Sequence, residues 1–276
     1  MKPDLPAAHL RETHPARECA GLDVPRGFQR LMLTFRIATY NIHKCRGLDR
    51  RVRPERIVKV LKETSADVIA LQEVAGMDHA DPQHNQVRWI AGELGFHYRI
   101  GGNRRLHGAA YGNAVLTRLP IAASHNHDIT WRRSEPRGCL DVLLELGGRE
   151  AIHRLRIFNV HLGTGYFERR YQSKKLFDIM KDGSHDSAPR LVLGDFNEWP
   201  RGLASHLLET HFNTAEPRRR LGRARSYPGI LPLAHVDHIY YDSPLEVVNV
   251  SIHRTRLALI ASDHLPVVAE FRYEPT

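Results

Sequence analysis

The sequence predicts an α/β protein in which two β-sheets pack against each other and helices cover their outer faces. Strand-like apolar runs outnumber the segments with helical spacing, and the helical segments fall between some of the strands. No repeat of fixed period and no Gly/Ser-rich linker divides the 276 residues, of which 42% are hydrophobic. We therefore expect one large domain with a sizeable buried core.

The first half of the chain contains four well-marked elements. Residues 34–42 alternate along a predicted strand, and residues 67–72 form an apolar run that predicts a second, largely buried strand. Residues 54–63 begin with a proline and place their apolar side chains on one helical face. A second helix is expected over residues 86–94.

The rest of the chain contains more strands and one long helix. Residues 168–181 place Leu176, Phe177 and Met180 on one face of the predicted helix. A short apolar run over residues 190–193 predicts a strand that leads directly into Gly-Asp. The other strands are predicted over residues 113–117, 139–146, 155–160, 238–241 and 267–271.

The N-terminal segment differs in composition from the rest of the chain. It is rich in Pro, Arg and Glu, shows no apolar period and lacks the apolar centre of a signal peptide. We expect residues 1–33 to be a poorly ordered extension and residues 34–276 to form the single domain.

Charge and cysteine content restrict the partners and the compartment. The net charge of +9 and the pI of about 9.7 favour polyanionic partners: nucleic acid, anionic lipid or phosphorylated small molecules. The three cysteines, Cys19, Cys45 and Cys139, match no zinc spacing, so a reducing, cytoplasmic compartment is expected. No apolar stretch is long enough to cross a membrane, and we favour a monomer.

The sharpest candidate for a functional site is the segment LVLGDFN, in which an apolar strand leads to Asp195 and Asn197. A period of two would place both polar side chains on one side of the strand. A carboxylate there can activate a water, and an amide can donate a hydrogen bond to a phosphate oxygen. The alternative is an ordinary Asx turn after the strand.

Two further strands carry polar residues at one end. Asp263 and His264 precede the last strand, where a histidine can act as an acid or as a cationic ligand of phosphate. The alternative is a capping aspartate beside a solvated histidine. Glu73 closes an apolar strand, where a buried carboxylate needs a partner or a hard cation such as Mg²⁺ or Mn²⁺. Otherwise the glutamate turns out into solvent.

Asn41 and His161 also follow predicted strands. Taken alone, each is more simply explained as a turn asparagine or a structural histidine. The joint occurrence of such residues at five strand ends indicates that they meet in one pocket.

The polar strand ends lie in a series of short segments between residues 34 and 273: TYNIH, ALQEV, YGNAVLTRLPI, NVHLG, LGDFNEW, VDHIYY and SDHLPVV. In these segments the chain resembles the endonuclease/exonuclease/phosphatase family, which includes DNase I. NIHK, HGAAYGNAVLTR, EPRG and SYPG make it most similar to a bacterial subgroup. His161 departs from the tyrosine-type residue of the repair nucleases and is more like DNase I and the sphingomyelinases. The resemblance implies a DNase I-like four-layer α/β sandwich of two mixed sheets with outer helices.

The resemblance also implies a metal site and a phosphate pocket. Glu73 would be the main ligand of Mg²⁺ or Mn²⁺, with Asn41 beside the metal and Asp263 supporting it.

The catalytic roles follow from the same resemblance. Asp195 would orient or deprotonate the attacking water, and Asn197 and His161 would hold the phosphate oxygens. His264 would contact the scissile phosphate, while Asp237 would hold His264 in the productive tautomer.

Arginines outside these segments are candidates for binding a polyanionic substrate. Arg104 and Arg105 are expected in a Gly/Asn loop before the YGN segment, and a cluster precedes SYPG: Arg218, Arg219, Arg220 and Arg223. The alternative for the cluster is a solvated run of charge.

The function favoured by these residues is that of a divalent-metal-dependent phosphodiesterase acting on a nucleic-acid or phospholipid-type substrate. The alternatives are a phosphomonoesterase on a small substrate and a non-catalytic nucleic-acid-binding module with the same fold. A module without activity would be expected to lack at least one of these residues: Glu73, Asp195, Asn197, Asp263 and His264.

Overall fold

The computed structural model describes residues 32–76, 85–106, 109–147, 152–182, 188–199, 202–216, 226–227 and 234–275. The expected N-terminal extension lies outside these ranges except for its last two residues, and the first strand begins at Leu33. Among the described residues, no helix combines the length and the apolar character needed to cross a membrane.

Within the described ranges the chain forms two six-stranded sheets. The strands are β1 (Leu33–Asn41), β2 (Val68–Gly76), β3 (His97–Leu106), β4 (Ala109–Thr117), β5 (Ile121–Asp128), β6 (Gly138–Leu146), β7 (His153–His161), β8 (Arg190–Asp195), β9 (Asn213–Thr214), β10 (Asp237–Tyr241), β11 (Leu245–Ile252) and β12 (Val267–Tyr273). The helices are α1 (Pro54–Thr64), α2 (Gln86–Leu94), α3 (Tyr166–Asp182), α4 (Leu203–Glu209) and α5 (Ala258–Ala261), and a short 3₁₀ turn covers His43–Cys45.

Both sheets are mixed. The first has the order β11-β12-β1-β2-β4-β3, and the second has the order β5-β6-β7-β8-β10-β9. The pairs β1–β2 and β7–β8 are parallel, and the remaining pairs are antiparallel.

Three apolar layers hold the fold together. One lies between the sheets and contains alternate residues of their strands, such as Ile37 and Leu193. A second joins the first sheet to α1, α2 and α5, and a third joins the second sheet to α3 and α4. The predicted four-layer α/β sandwich is therefore confirmed.

A buried polar bridge crosses the central layer. Asn159 on β7 donates from Nδ2 to the carbonyls of Leu71 (3.0 Å) and Ala114 (2.9 Å) in the opposite sheet. Gln72 donates in turn to Asn159 Oδ1 over 2.8 Å. Because a buried amide is costly to leave unpaired, this bridge specifies how the two sheets face each other.

The strands that sequence patterning did not predict are β3, β5, β9 and β11, which are the four sheet edges. An edge strand has one hydrogen-bonded neighbour and, as in β5, mostly exposed side chains, so it lacks the apolar period. Arg104 and Arg105 were expected in a loop; that prediction is wrong, because both lie in β3. The helices α4 and α5 are short and were not predicted either.

Candidate active site

The polar strand ends lie together at one end of the space between the sheets. Leu191 and Leu193 of β8 pack in the central layer, and Asp195 continues the same face of the strand. Ile37 of β1 packs in the same layer, and the same alternation places Asn41 at its end. The pocket therefore begins where the apolar residues of the central layer give way to polar ones.

Asp195 lies between two register partners in the second sheet. His161 of β7 pairs with it on one side and Asp237 of β10 on the other. Gly194 makes the close approach of β7 and β8 possible: its φ is 143°, and an added Cβ would lie 1.9 Å from the carbonyl oxygen of Val160. Only glycine fits there without a shift of the backbone.

Glu73 enters the pocket through a β-bulge. Leu71 and Val74 of β2 pair with Ala114 and Gly112 of β4, so β2 carries one extra residue. Glu73 lies in that bulge with a φ of 56°, in the left-handed region. The prediction that the strand closes at Glu73 is wrong, because β2 continues to Gly76.

Four donors surround the carboxylate of Asp195. Asn41 Nδ2 donates to its Oδ2 over 3.0 Å, and the backbone N–H of Asn197 donates to its Oδ1 over 2.9 Å. The Nε2 atoms of His161 and His264 lie 3.5 Å and 3.6 Å from Oδ2. The buried carboxylate is thus flanked by two imidazoles from different parts of the chain.

His264 is held by Asp237. Its Nδ1 lies 3.0 Å from Asp237 Oδ2, and Ser226 donates a short hydrogen bond to the same oxygen. Burial alone would lower the pKa of His264, but the negative charges of Asp237, Asp195 and Asp263 outweigh it and raise the pKa to about 10. His264 is therefore a cation at neutral pH.

His161 is held by an arginine. Arg137 Nη1 lies 2.9 Å from its Nδ1. Burial lowers the pKa of His161, Asp195 opposes this and the Arg137 charge reinforces it, so that the pKa is about 4. At neutral pH the pocket therefore contains one neutral and one cationic histidine.

Glu73 is surrounded by donors from the first sheet and the 3₁₀ turn. Tyr111 donates to it over 2.9 Å, Lys44 Nζ lies 3.3 Å away and Asn41 Nδ2 donates over 3.3 Å. Burial raises the pKa of Glu73, but the nearby His161 and Lys44 and the two hydrogen bonds lower it to about 2. Because burial keeps His161 neutral at neutral pH, Lys44 and the hydrogen bonds are what hold Glu73 ionised there.

Two groups of side chains could hold a metal. Asp195, Asp237 and His264 offer ligand atoms within 4.8 Å of one another. Both ring nitrogens of His264 face carboxylates in that group, which is the pattern of a hydrogen-bonded relay. Glu73 and Asn41 offer hard oxygen atoms without a thiolate, a donor set that fits Mg²⁺ or Mn²⁺.

Asp263 lies beside this second group. His43 connects them, because its Nδ1 is 3.5 Å from Asp263 Oδ1 and its backbone N–H donates to Asn41 Oδ1 over 3.0 Å. Ser262 donates both to Asp263 and to the backbone carbonyl of Asn41. Asp263 can therefore support a cation held by Glu73 and Asn41.

Comparison with known proteins agrees with this geometry. The model of the endonuclease/exonuclease/phosphatase family matches residues 38–264, from β1 to His264. The chain belongs to the endonuclease/exonuclease/phosphatase family.

Relatives in this family cover nearly the whole chain. The uncharacterized protein YbhP of Escherichia coli K12 is 32% identical over 255 residues, which are 88% of this chain and 98% of YbhP. A family protein from Bacteroides thetaiotaomicron superposes with a TM-score of 0.72 at 17% identity, over 89% of this chain and 97% of its own. A mannosyl-6-phosphatase from Bacteroides thetaiotaomicron VPI-5482 superposes with a TM-score of 0.68 at 18% identity, over 86% and 99%.

Asn197 lies beside Asp195 in a turn that follows β8. It follows β8 with a φ of 50°, so the strand period that placed it on the same face as Asp195 does not apply. Its backbone N–H closes an Asx turn on Asp195, and its side chain donates to the carbonyl of Leu162 over 2.8 Å. The structure thus shows the Asx turn of the alternative interpretation, and the role of the Asn197 side chain in the site stays a prediction.

The arginines predicted to bind substrate differ in where the structure places them. Arg104 lies 3.0 Å from Glu135 and stacks over the ring of Tyr111 at 4.6 Å, so it is linked to the site. Arg105 is exposed, and strand alternation directs it to the opposite face of β3. The arginine cluster lies outside the described residues: Arg218, Arg219, Arg220 and Arg223.

Several residues that contact the site were not singled out from the sequence as site residues: Lys44, Tyr111, Arg137 and Ser226. All four lie in segments that support the family resemblance, NIHK, YGN, EPRG and SYPG. The family-like segments therefore include these residues, but only the contacts in the structure show which side chain each of them binds.

Proposed function

We propose that the chain is a divalent-metal-dependent phosphodiesterase that hydrolyses a nucleic-acid or phospholipid-type diester with an activated water. The observation that carries this proposal is the position of Asp195 between two imidazoles: the Nε2 atoms of His161 and His264 lie 3.5 Å and 3.6 Å from its Oδ2. Hydrolysis of a phosphate ester needs a base for the water, donors for the phosphate oxygens and a cation near the developing charge.

In the proposed reaction Asp195 accepts a proton from water, and the water oxygen forms a bond to phosphorus. The phosphorus–oxygen bond to the leaving group breaks, and the leaving oxygen takes a proton from His264. His161 and Asn197 donate hydrogen bonds to the phosphate oxygens. Asp237 keeps the ring of His264 in one orientation, because the imidazole stays bonded to that carboxylate through Nδ1. The proton that Asp195 took from water then passes to His264 Nε2, which lies 3.6 Å from Asp195 Oδ2, and both groups return to their starting states.

The metal would be held by Glu73 and Asn41, with Asp263 in support. A bound Mg²⁺ or Mn²⁺ would supply neutralising charge for the phosphate. Until it binds, Lys44, Tyr111 and Asn41 stabilise the charge of Glu73.

A diester suits the charge of the pocket better than a monoester. Among the described residues, two arginines that are linked to the site, Arg104 and Arg137, share the carboxylate of Glu135, which partly neutralises them. A phosphodiester brings one negative charge to the pocket, whereas a monoester brings close to two at neutral pH. The net charge of +9 supports a polyanionic or membrane-bound substrate.

We also infer a reducing, cytoplasmic compartment. The cysteines among the described residues, Cys45 and Cys139, are buried free thiols. Fractionation of cells that produce the protein would test this inference, and recovery outside the cytoplasm would contradict it.

The decisive experiment is an activity panel with added Mg²⁺ or Mn²⁺. The substrates are plasmid DNA, RNA, bis-p-nitrophenyl phosphate, phospholipids and phosphomonoesters, each with and without excess EDTA. Asp195→Asn should lower kcat by about 10²–10⁴-fold. Asp141→Asn is the matched control, because Asp141 is a buried carboxylate of β6 that pairs with Arg156 away from the site. Full activity in EDTA, or hydrolysis of monoesters alone, would contradict the proposal.

A further inference from the structure

Arg137 touches the pocket from a position that no catalytic role has yet explained. It immediately precedes β6, and its side chain is only 10% exposed. Its two terminal nitrogens have different partners: Nη1 lies 2.9 Å from His161 Nδ1, and Nη2 donates to Glu135 Oε2 over 2.9 Å. The guanidinium thus connects the imidazole of His161 to a carboxylate.

The chemistry of a guanidinium decides where the proton of His161 lies. An arginine side chain has only donors and stays protonated in proteins, so the contact requires His161 Nδ1 to accept. In a neutral imidazole the proton then lies on Nε2, the nitrogen that faces Asp195 at 3.5 Å. The opposite tautomer would set two N–H groups against each other at 2.9 Å.

We propose that Arg137 is a positioning residue that holds His161 in the Nε2–H tautomer, so that His161 offers the phosphate a hydrogen-bond donor. The consequence for catalysis rests on the proposed function. With its proton on Nδ1, His161 would present a lone pair to an anionic oxygen and would repel the substrate instead of holding it.

Arg137 is itself held in place by a chain of contacts. Glu135 bonds Arg137 through one oxygen and Arg104 through the other, over 2.9 Å and 3.0 Å. Arg104 stacks on Tyr111, whose hydroxyl donates to Glu73. One network therefore runs from the carboxylate at the proposed metal site to the imidazole at the phosphate site. The planar fork of an arginine serves both of its partners at once, which a lysine ammonium cannot do with the same geometry.

The second histidine shows the opposite arrangement. His264 Nδ1 faces the carboxylate of Asp237, so that nitrogen carries a proton. A carboxylate behind one imidazole and a guanidinium behind the other give two different ligands for the same phosphate: a cation and a neutral donor.

The test is ¹⁵N NMR of the full-length protein labelled at histidine, at pH 7. The chain has 18 histidines, so the His161 signals are assigned by their loss in His161→Gln. In the parent protein we expect a protonated Nε2 and an unprotonated Nδ1. Arg137→Met should convert this to a mixture of tautomers. Arg156→Met, which removes another partly buried arginine paired with Asp141 on β6, should leave the His161 signals unchanged.

A His161 ring that carries its proton on Nδ1 in the parent protein overturns the proposal, and so does an unchanged tautomer in folded Arg137→Met. The first of these outcomes is read from the parent spectrum alone, so the proposal can be overturned even if the variant does not fold. Where bis-p-nitrophenyl phosphate is hydrolysed, Arg137→Met should lower kcat by about 10–100-fold, and Arg156→Met should not. If the parent hydrolyses no phosphate ester, the proposed function fails, while the NMR result still decides the role of Arg137.

Discussion

At the scale of single residues, the two histidines beside Asp195 are chemically distinct although their distances from it are almost equal. His264 contacts Asp237 through Nδ1 and is held as a cation, whereas His161 contacts Arg137 through Nδ1 and is held neutral. The difference arises from the group behind each ring, because both rings are buried. The groups behind the two rings, Asp237 and Arg137, thus set the chemistry of the imidazoles beside Asp195.

The relay of Asp237 and His264 makes a prediction about coupled mutations. His264→Ala should lower kcat for bis-p-nitrophenyl phosphate by about 10²–10⁴-fold, because it removes the cationic imidazole beside Asp195. Asp237→Asn should lower kcat by a smaller factor, since it mainly allows the ring of His264 to leave its productive orientation. The double variant should be little worse than His264→Ala, because residues that act as one unit are not additive. Losses that multiply in the double variant would show that Asp237 does not act through His264.

The buried neutral state of His161 predicts a loss of stability in acid. Its pKa is lowered in the folded state, so the unfolded chain binds the extra proton first. The stabilisation is therefore complete above pH 6.5 and declines as the pH falls toward about 4. Between pH 7 and pH 4.5, the free energy of unfolding of His161→Gln should fall by about 1–3 kcal/mol less than that of the parent protein, measured in urea. The exposed His97→Gln is the control, and a slope that His161→Gln leaves unchanged would contradict the buried neutral state.

At the scale of elements, the site depends on two local departures from regular strands. The bulge in β2 turns Glu73 into the pocket, and the conformation of Gly194 lets β7 and β8 approach just before Asp195. Both positions have a positive φ, a conformation that side chains rarely adopt.

Gly194→Ala should lower the free energy of unfolding by about 2–4 kcal/mol, because its Cβ meets the backbone oxygen of Val160 and its φ is unfavourable for alanine. Gly92→Ala is a matched control in α2, where an added Cβ meets nothing within 4 Å. That control should raise stability by up to about 1 kcal/mol, because alanine is the better helix former. Urea unfolding of both variants measures the contrast, and equal effects would show that the β7–β8 contact is looser than described.

At the scale of the whole molecule, the net charge of +9 should affect how fast the protein associates with an anionic substrate more than it affects the chemical step. The cluster Arg218, Arg219 and Arg220 lies outside the described residues and remains a prediction. Changing all three to glutamine should raise KM for plasmid DNA and leave kcat for bis-p-nitrophenyl phosphate nearly unchanged.

The effect of the arginine cluster should shrink as salt increases, because screening shortens the range of the attraction. A triple variant with the same loss of charge on α1 and α2 is the control: Lys59→Gln, Lys62→Gln and Arg88→Gln. Equal KM values for the two triple variants at low salt would show that the arginine cluster acts only through the net charge of the protein.

The periodic apolar pattern of the sequence by itself determined much of this protein. It predicted the central strands, the helices α1 to α3 and the layered sandwich, because buried strands and amphipathic helices leave a periodic apolar pattern. It also placed Asn41, His161 and Asp195 at strand ends, where they were expected to meet in one pocket. The edge strand β5 left no such pattern, because most of its side chains are in solvent.

Only the tertiary structure decided how the polar residues work together. The bulge at Glu73 depends on pairing with β4, and the protonation of the two histidines depends on Asp237 and Arg137, which lie 27 and 24 residues away along the chain. The polar bridge through Asn159 joins strands of opposite sheets. A single strand carries its own period but no record of its partners, so contacts between distant segments cannot be derived from local patterning.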